Sequence, residues 1–190
     1  MHPSPAAPAA PRQYLSFFLG EDEFALSILQ VKEIIEYDTV TRIPSAPPFI
    51  RGVINLRGSV VPVVDLAVKL GLASAPVTKW SCIVVVEIQL GGEQVVVGVV
   101  ADAVSQVVDF TAADIEPPPA FGTAVRMDYL QGMGRTEGKK FVLLLDINRV
   151  LSTQEIHVTQ ALEMEGPAPT PVLEAAAVGA VVAESAEASR

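Results

Sequence analysis

The side chains that build most metal and nucleophilic catalytic centres are scarce in this chain. Its 190 residues include one cysteine, Cys82, and two histidines, His2 and His157. A single cysteine excludes a disulfide within the chain, and a lone thiol in an apolar run is typical of an inert buried side chain. A Cys/His metal site or a Ser-His-Asp triad therefore lacks its raw material. We expect no metal and no cofactor.

Positive charge is also in short supply. Lys and Arg number 13 against 22 Asp and Glu, which gives a formal charge of -9 at pH 7. No basic cluster stands out, which argues against a nucleic acid as partner. A nucleic-acid-binding barrel of the OB type, which is one alternative, would need exposed aromatics beside Lys or Arg. The seven Phe fall mainly in apolar runs instead.

Uninterrupted apolar runs of membrane-spanning length are missing, although half of the residues are apolar. The stretch at 81–100, for example, contains Glu87, Gly91, Gly92 and Glu93, a pattern that predicts a hairpin. The N-terminal residues have neither the basic start nor the apolar core of a secretion signal. The sequence therefore predicts a cytoplasmic protein that is not inserted into the membrane.

A hairpin with one cation at its tip is the most informative segment. Residues 49–66 read FIRGVINLRGSVVPVVDL, two runs rich in β-branched residues around the turn Asn-Leu-Arg-Gly. The pattern favours two short strands that display Arg57. An exposed Arg on a rigid hairpin suits recognition of a carboxylate or of carbonyls; the alternative is a solvated turn cation. If residues 31–35 lie beside the hairpin, Glu33 can pair with Arg57.

An internal repeat organises the chain. VKEII (31–35) aligns with VSQVV (104–108), FIRGV (49–53) with YLQGM (129–133), and RGSVVPVVDLAVKL (57–70) with EGKKFVLLLDINRVL (137–151). Many short strands in such an arrangement favour small closed barrels, because closure removes exposed strand edges. Repeats offset by roughly 70 to 80 residues are small for independent stability. We therefore expect two barrel-like lobes that share a core or exchange strands.

Two carboxylates occupy equivalent positions in the repeat. Asp65 and Asp146 each stand immediately before a predicted short helix, which predicts that both cap helix N-termini. The alternative from another class is an enzyme that uses Asp65 and Asp146 as an acid/base pair. Such a pair must lie within about 10 Å, whereas the repeat is expected to place one carboxylate in each lobe.

The ends of the chain differ in composition from its middle. Residues 1–12 form a Pro/Ala-rich segment, and residues 161–190 form a Pro/Ala-rich acidic tail. Both can bury little apolar surface, so we expect both to be disordered. The folded domain is expected to span residues 13–155.

Several motifs, in order, resemble the CheW-type coupling proteins of bacterial chemotaxis. They are QVKEII, VTRIPSAPPFIRGVINLRGSVVPVVDL, GVVADAVSQVV, IEPPP, DYLQGMG and FVLLLDINRVL, and they extend over essentially residues 13–153. The resemblance implies an all-β fold of two intertwined five-stranded SH3-like barrels with short helices. It also implies a non-catalytic adaptor that bridges the cytoplasmic tips of chemoreceptors, the methyl-accepting chemotaxis proteins, to the regulatory domain of the CheA histidine kinase at membrane-associated receptor arrays.

The resemblance further implies where partners bind. Val31, Glu33, Gly52 and Arg57 match family positions implicated in receptor or kinase contact, and a groove near Val31 and Val104 is expected to take the receptor helix hairpin. Since the chain has no ATP-binding, phosphotransfer or receiver segment, a stand-alone adaptor fits it best. The pathway output, whether flagella, pili or another, stays open.

The two halves of the repeat differ at the hairpin tip. The second half keeps the glycines at 132 and 138 but places Glu137 where the first half has Arg57. The fold can thus be built without a cation at this position. The difference favours a binding role for Arg57 over a purely structural one.

Overall fold

The computed structural model describes residues 10–38, 40–118, 125–136, 138 and 140–151. Within these residues the chain forms two sheets and two short α-helices. The acidic tail and most of the N-terminal segment lie outside the described residues, so their expected disorder stays a prediction. The first strand begins at Arg12, one residue before the predicted start of the domain.

The described strands are short and follow one another closely. In chain order they are β1 (Arg12–Leu19), β2 (Asp22–Ser27), β3 (Val31–Glu36), β4 (Ile50–Leu56), β5 (Ser59–Asp65), β6 (Cys82–Leu90), β7 (Glu93–Ala101), β8 (Ala103–Phe110), β9 (Ile115–Glu116), β10 (Leu130–Arg135) and β11 (Phe141–Leu145). The helices are α1 (Leu66–Lys69) and α2 (Ile147–Val150), and 3-10 turns occur at Ile28–Gln30 and Met127–Tyr129.

The strands cross between the two halves of the chain. One sheet has the order β3-β6-β7-β5-β4, and we call it lobe 1. The other, lobe 2, has the order β8-β1-β2-β11-β10-β9, so the N-terminal hairpin completes the sheet of the C-terminal half. This arrangement confirms the predicted intertwined barrels with short helices, and lobe 2 gains the two-residue strand β9 as a sixth member.

A shared core joins the lobes. One cluster of buried side chains combines Phe17 and Phe24 of lobe 2 with Val84 and Val86 of lobe 1. Two smaller clusters lie one in each lobe. Strand β6 contributes to two clusters. Val84 and Val86 on one face belong to the shared core, and Val85 on the other face belongs to the cluster inside lobe 1. This double burial explains why β6 reads as a continuous apolar run and not as an alternating one.

Both predicted helix caps are confirmed. Asp65 Oδ1 accepts a hydrogen bond from Val68 N at 3.1 Å, and Asp146 Oδ1 accepts one from Arg149 N at 3.3 Å. Asp65 ends β5 in lobe 1, whereas Asp146 follows β11 in lobe 2. The two carboxylates therefore belong to different lobes, as the repeat predicted.

Cys82 is buried at the start of β6, as expected. Burial raises the pKa of its thiol above the ordinary value. The thiol is therefore held in its neutral form, which matches the prediction of an inert side chain.

Candidate functional site

The tip of the β4–β5 hairpin is a two-residue turn. Leu56 pairs with Ser59, and the two residues between them, Arg57 and Gly58, have φ of 52° and 89°. Positive φ at both central positions identifies a type I′ turn, which matches the twist of the flanking strands. Asn55 Oδ1 accepts a hydrogen bond from Gly58 N at 2.8 Å. The local sequence thus fixes the turn and places Arg57 at its tip.

The backbone of Arg57 has a positive φ, which is uncommon for residues other than Gly, Asn and Asp. A left-handed backbone costs an L-residue roughly 1–2 kcal/mol. The guanidinium is also strongly exposed, with 80% of the side chain accessible, so little burial offsets this cost. The type I′ turn imposes a positive φ at this position whatever residue stands there. The strain therefore follows from the turn, and a binding role for the exposed guanidinium stays a prediction.

Glu33 meets this guanidinium. Arg57 Nη2 lies 2.9 Å from Glu33 Oε2, and the glutamate side chain is only 25% accessible. Strands β3 and β4 are the two ends of the lobe 1 sheet, so the pair spans the gap between them. The predicted proximity of Glu33 and Arg57 is confirmed. Because the pair is largely exposed, it is worth at most about 1 kcal/mol, and its main effect is to orient the guanidinium.

Gly52 has a structural function that sequence reasoning did not foresee. Its φ is 148°, and a Cβ atom there would lie 2.0 Å from the carbonyl oxygen of Thr41. Thr41 and Val53 exchange two backbone hydrogen bonds, of 2.9 and 2.8 Å, at this point. Gly52 is thus required where the chain after β3 crosses β4 and closes lobe 1. Gly52 is buried, so we predict that it affects the binding of partners indirectly, through the shape of β4.

The repeat reproduces this crossing in lobe 2. A Cβ on Gly132 would lie 2.7 Å from the carbonyl oxygen of Glu116. Strand β9 pairs with β10 there, as Thr41 pairs with Val53 in lobe 1. The two glycines that align in the sequence therefore close the two barrels in the same way.

Val31 and Val104 lie on different lobes. Val31 opens β3 opposite Val86, and Val104 lies in β8 opposite Phe17. Both are half-buried and pack against the shared core. The structure thus connects both valines to the junction of the lobes, while their contact with a receptor stays a prediction.

Two exposed apolar side chains lie close to Glu33 in the chain, and the sequence analysis missed one of them, Leu29. Leu29 is 92% exposed in the 3-10 turn before β3, and Ile34 is 44% exposed beside Glu33. In the repeat, Ile34 aligns with Val107, which is 49% exposed in β8. Ile34 alternates with Glu33 along β3, so it lies on the face of the strand that carries Val31 and not on the face of the Arg57–Glu33 pair.

A polar network around the buried carboxylate of Asp65 was also missed. Arg51 Nη2 lies 2.6 Å from Asp65 Oδ2, and Ser74 Oγ donates to the same oxygen at 2.8 Å. The other oxygen of Asp65, Oδ1, caps α1. Both oxygens of this carboxylate are therefore hydrogen-bonded to groups of the protein itself. This arrangement ties the loop after α1 to β4, and it leaves Asp65 poorly suited to the acid/base role of the enzyme alternative.

The described residues hold no group of three or more His, Cys, Asp or Glu that could bind a metal ion. Among the same residues, no helix has the length and apolar character needed to cross a bilayer. Glu137, on which the predicted contrast with Arg57 depends, lies outside them.

Comparison with known proteins decides the family. The family model of the CheW-like domain matches residues 13–155. The chain belongs to the CheW family. The resemblance to CheW-type proteins that the motifs indicated is thereby confirmed.

The CheW relatives cover most of the chain. Chemotaxis protein CheW of Klebsiella aerogenes is 43% identical over 145 residues, which cover 76% of this chain and 84% of that protein. Protein FrzA of Myxococcus xanthus is 33% identical over 150 residues, covering 78% and 91%. The crystal structure of scaffolding protein TtCheW from Thermoanaerobacter tengcongensis is similar with a TM-score of 0.69 and 31% identity, covering 83% of this chain and 99% of that one.

Proposed function

We propose that this chain is a non-catalytic adaptor that couples chemoreceptors to a CheA-type histidine kinase in chemotaxis. It would act in the cytoplasm, at membrane-associated receptor arrays. The observation that carries the proposal is the Arg57 guanidinium, which a type I′ turn and Glu33 hold in an exposed position. Only one of its five N–H donors is used by Glu33. The others can bind a partner carboxylate or carbonyl groups.

On the kinase side, one lobe would pack against a lobe of the kinase regulatory domain, which the CheW resemblance implies to have the same fold. A rigid barrel suits this task because strands present their side chains with little loss of conformational entropy on binding. Interfaces of this kind are modest in area and transient. Repeated contacts within an array would strengthen them through multivalency.

On the receptor side, an apolar groove near Val31 and Val104 would take the helix hairpin of the receptor tip. Both valines pack on the core that the lobes share, and Leu29 and Ile34 add exposed apolar surface beside Val31. An amphipathic helix binds such a surface through apolar residues at positions i, i+3, i+4 and i+7. The ion pair Arg57–Glu33 would then supply the polar rim.

A second candidate is an adaptor of a related chemosensory pathway that controls pili or another non-flagellar output. The observation that favours it is the similarity to FrzA of Myxococcus xanthus over 78% of this chain. The two candidates share one mechanism and differ in the identity of the kinase and receptor.

The experiment is a pull-down from the native cell with the tagged full-length chain, followed by mass spectrometry. We expect a histidine kinase and a chemoreceptor to be recovered together, and we expect Arg57→Ala to reduce both. Arg42→Ala is the matched control, since Arg42 is an exposed cation of the same lobe. Recovery of neither protein with the wild-type chain would reject the proposal, and the genes that encode the recovered kinase and receptor distinguish the two pathways.

A further inference from the structure

A polar groove of 640 Å³ runs along β8 in lobe 2. Strand β8 forms one wall, and the opposite wall is the end of the β10–β11 hairpin at Arg135, Thr136 and Lys140. Within the described residues β8 is the end strand of its sheet and pairs only with β1. Its second edge therefore offers unpaired N–H and C=O groups.

The contacts of Gln106 indicate which backbone groups face the groove. Gln106 N donates to Ser16 Oγ at 3.3 Å, and Gln106 O accepts from the same hydroxyl at 3.1 Å. The backbone of Gln106 therefore points towards β1. Strand β8 bulges at Ser105 and Gln106, where its register against β1 shifts, and it is regular from Val107 to Phe110. Because successive residues of the regular part point their N–H and C=O groups to opposite sides, those of Val107 and Asp109 point away from β1. Both residues line the groove.

The corresponding gap in lobe 1 is bridged. There, Arg57 reaches from the hairpin tip to Glu33 on β3, and Gln106 is the repeat equivalent of Glu33. In lobe 2 Arg135 pairs with Glu116 on β9. No ion pair of the described part of the chain joins the β10–β11 hairpin to β8. Among the described residues, a side-chain pair thus spans the gap of lobe 1, whereas the gap of lobe 2 holds the groove beside the free edge of β8.

The charge of the groove selects its occupant. Three carboxylates line it, those of Glu23, Asp109 and Asp114, against the cations Arg135 and Lys140. Arg135 is already neutralised by Glu116. Asp114 accepts two hydrogen bonds from Thr111, which lower the pKa of its carboxyl group and keep it ionised. The balance is negative, so a basic segment is the complementary ligand.

We propose that this groove binds an extended basic peptide segment of another protein, which adds as a strand to the open edge of β8. The peptide backbone pairs with the backbone groups of Val107 and Asp109, and a Lys or Arg side chain of the peptide meets the carboxylate of Asp109 or Glu23. Strand addition of this kind takes its affinity from main-chain hydrogen bonds and its specificity from alternate side chains. The proposal does not depend on the adaptor function.

Three synthetic peptides test the proposal by NMR titration of the isotope-labelled full-length chain. We expect Lys-Val-Thr-Val-Lys to shift the amide signals of residues 105–109 in a saturable way. Glu-Val-Thr-Val-Glu reverses the charge, and Lys-Pro-Thr-Pro-Lys removes two backbone donors. Each change is expected to weaken binding about tenfold or more, as the loss of a charge contact or of a hydrogen bond does. Equal affinity for all three peptides, shifts confined to other strands, or no saturable shift would each overturn the proposal.

Variants of the protein provide the second arm. Val107→Pro removes a donor that faces the groove and is expected to abolish binding of Lys-Val-Thr-Val-Lys while the remaining spectrum is kept. Asp109→Asn is expected to weaken binding about threefold to tenfold through loss of the charge contact. Glu93→Gln, an exposed carboxylate in the β6–β7 turn region, is the matched control and should bind as the wild type does. If Val107→Pro does not fold, Asp109→Asn decides, and wild-type affinity of that variant contradicts the proposal.

Discussion

Arg57 Nη2 and Glu33 Oε2 lie 2.9 Å apart and connect the β4–β5 hairpin to strand β3 across the gap of lobe 1. The pair is exposed on the arginine side, and the barrel is closed independently by the backbone bridge between Thr41 and Val53. The contact that orients the guanidinium is therefore separate from the contacts that hold the fold. This separation allows binding and stability to be changed one at a time.

We expect Arg57→Ala and Glu33→Gln to leave the fold intact. An exposed ion pair contributes about 0–1 kcal/mol, so the free energy of unfolding should fall by no more than that. Urea unfolding followed by circular dichroism measures the change. If the free energy of unfolding fell by more than about 3 kcal/mol, the Arg57–Glu33 pair would have a structural role in holding the barrel together.

We expect Gly52→Ala to destabilise the fold far more than the addition of one methyl group to a strand normally does. The new Cβ would lie 2.0 Å from the Thr41 carbonyl oxygen, which is backbone and cannot rotate away. The free energy of unfolding is expected to fall by about 3 kcal/mol or more. Gly20→Ala is the matched control, because Gly20 also has positive φ but a Cβ added there would have nothing within 4 Å. It should cost only about 1–2 kcal/mol, and equal losses in the two variants would contradict this account of Gly52.

Much of the fold could be predicted from the repeat and from hydropathy. The aligned VxxVV segments, hairpins and Asp caps predicted two similar lobes, and their small size predicted that the lobes share a core. The tip of the hairpin could also be predicted, because Asn-Leu-Arg-Gly between two runs of β-branched residues is typical of a turn, and this turn contains one cation. In each case the information lies within a few neighbouring residues or in the repeat itself.

The remaining features depend on contacts between distant residues. The CheW resemblance implies that Gly52 is a site residue, but its structural function depends on Thr41, which lies against β4 in the folded chain. The network of Arg51, Asp65 and Ser74 joins a strand, a helix cap and a loop, and no local pattern predicts that loop's path. The open edge of β8 depends on which strands of lobe 2 become neighbours.

The two capping aspartates should differ in their contribution to stability. Asp65→Ala removes a cap and also the hydrogen-bonded partner of Arg51, so we expect a loss of about 2–4 kcal/mol. Asp146→Ala removes a cap and an exposed pair with Arg149, which should cost about 1 kcal/mol. Urea unfolding of both variants measures the difference. Equal losses of unfolding free energy in the two variants would mean that the contact between Arg51 and Asp65 adds nothing to the stability.

The Cys82 thiol should resist modification in the native protein. Its pKa is raised by burial, so the thiolate that reacts with alkylating agents is scarce. A raised pKa in the folded state leaves stability unaffected below the pKa of the unfolded chain, near the ordinary 9.0, and lowers it as the pH rises further. Iodoacetamide labelling, read by mass spectrometry, should be slow at pH 7.5 and become fast in urea. Equally fast labelling of the folded chain would contradict the buried position.

The central claim is that the chain couples a receptor to a kinase, and that Arg57 takes part. The direct measurement is kinase autophosphorylation in a reconstituted mixture of receptor, histidine kinase and this chain at limiting concentrations. We predict that wild-type protein and Arg42→Ala restore receptor-dependent activation, and that Arg57→Ala reduces it about tenfold, the effect of losing one well-placed charged contact. Full activation without the chain would contradict the coupling function, and wild-type activation by Arg57→Ala would contradict the assigned role of the hairpin tip.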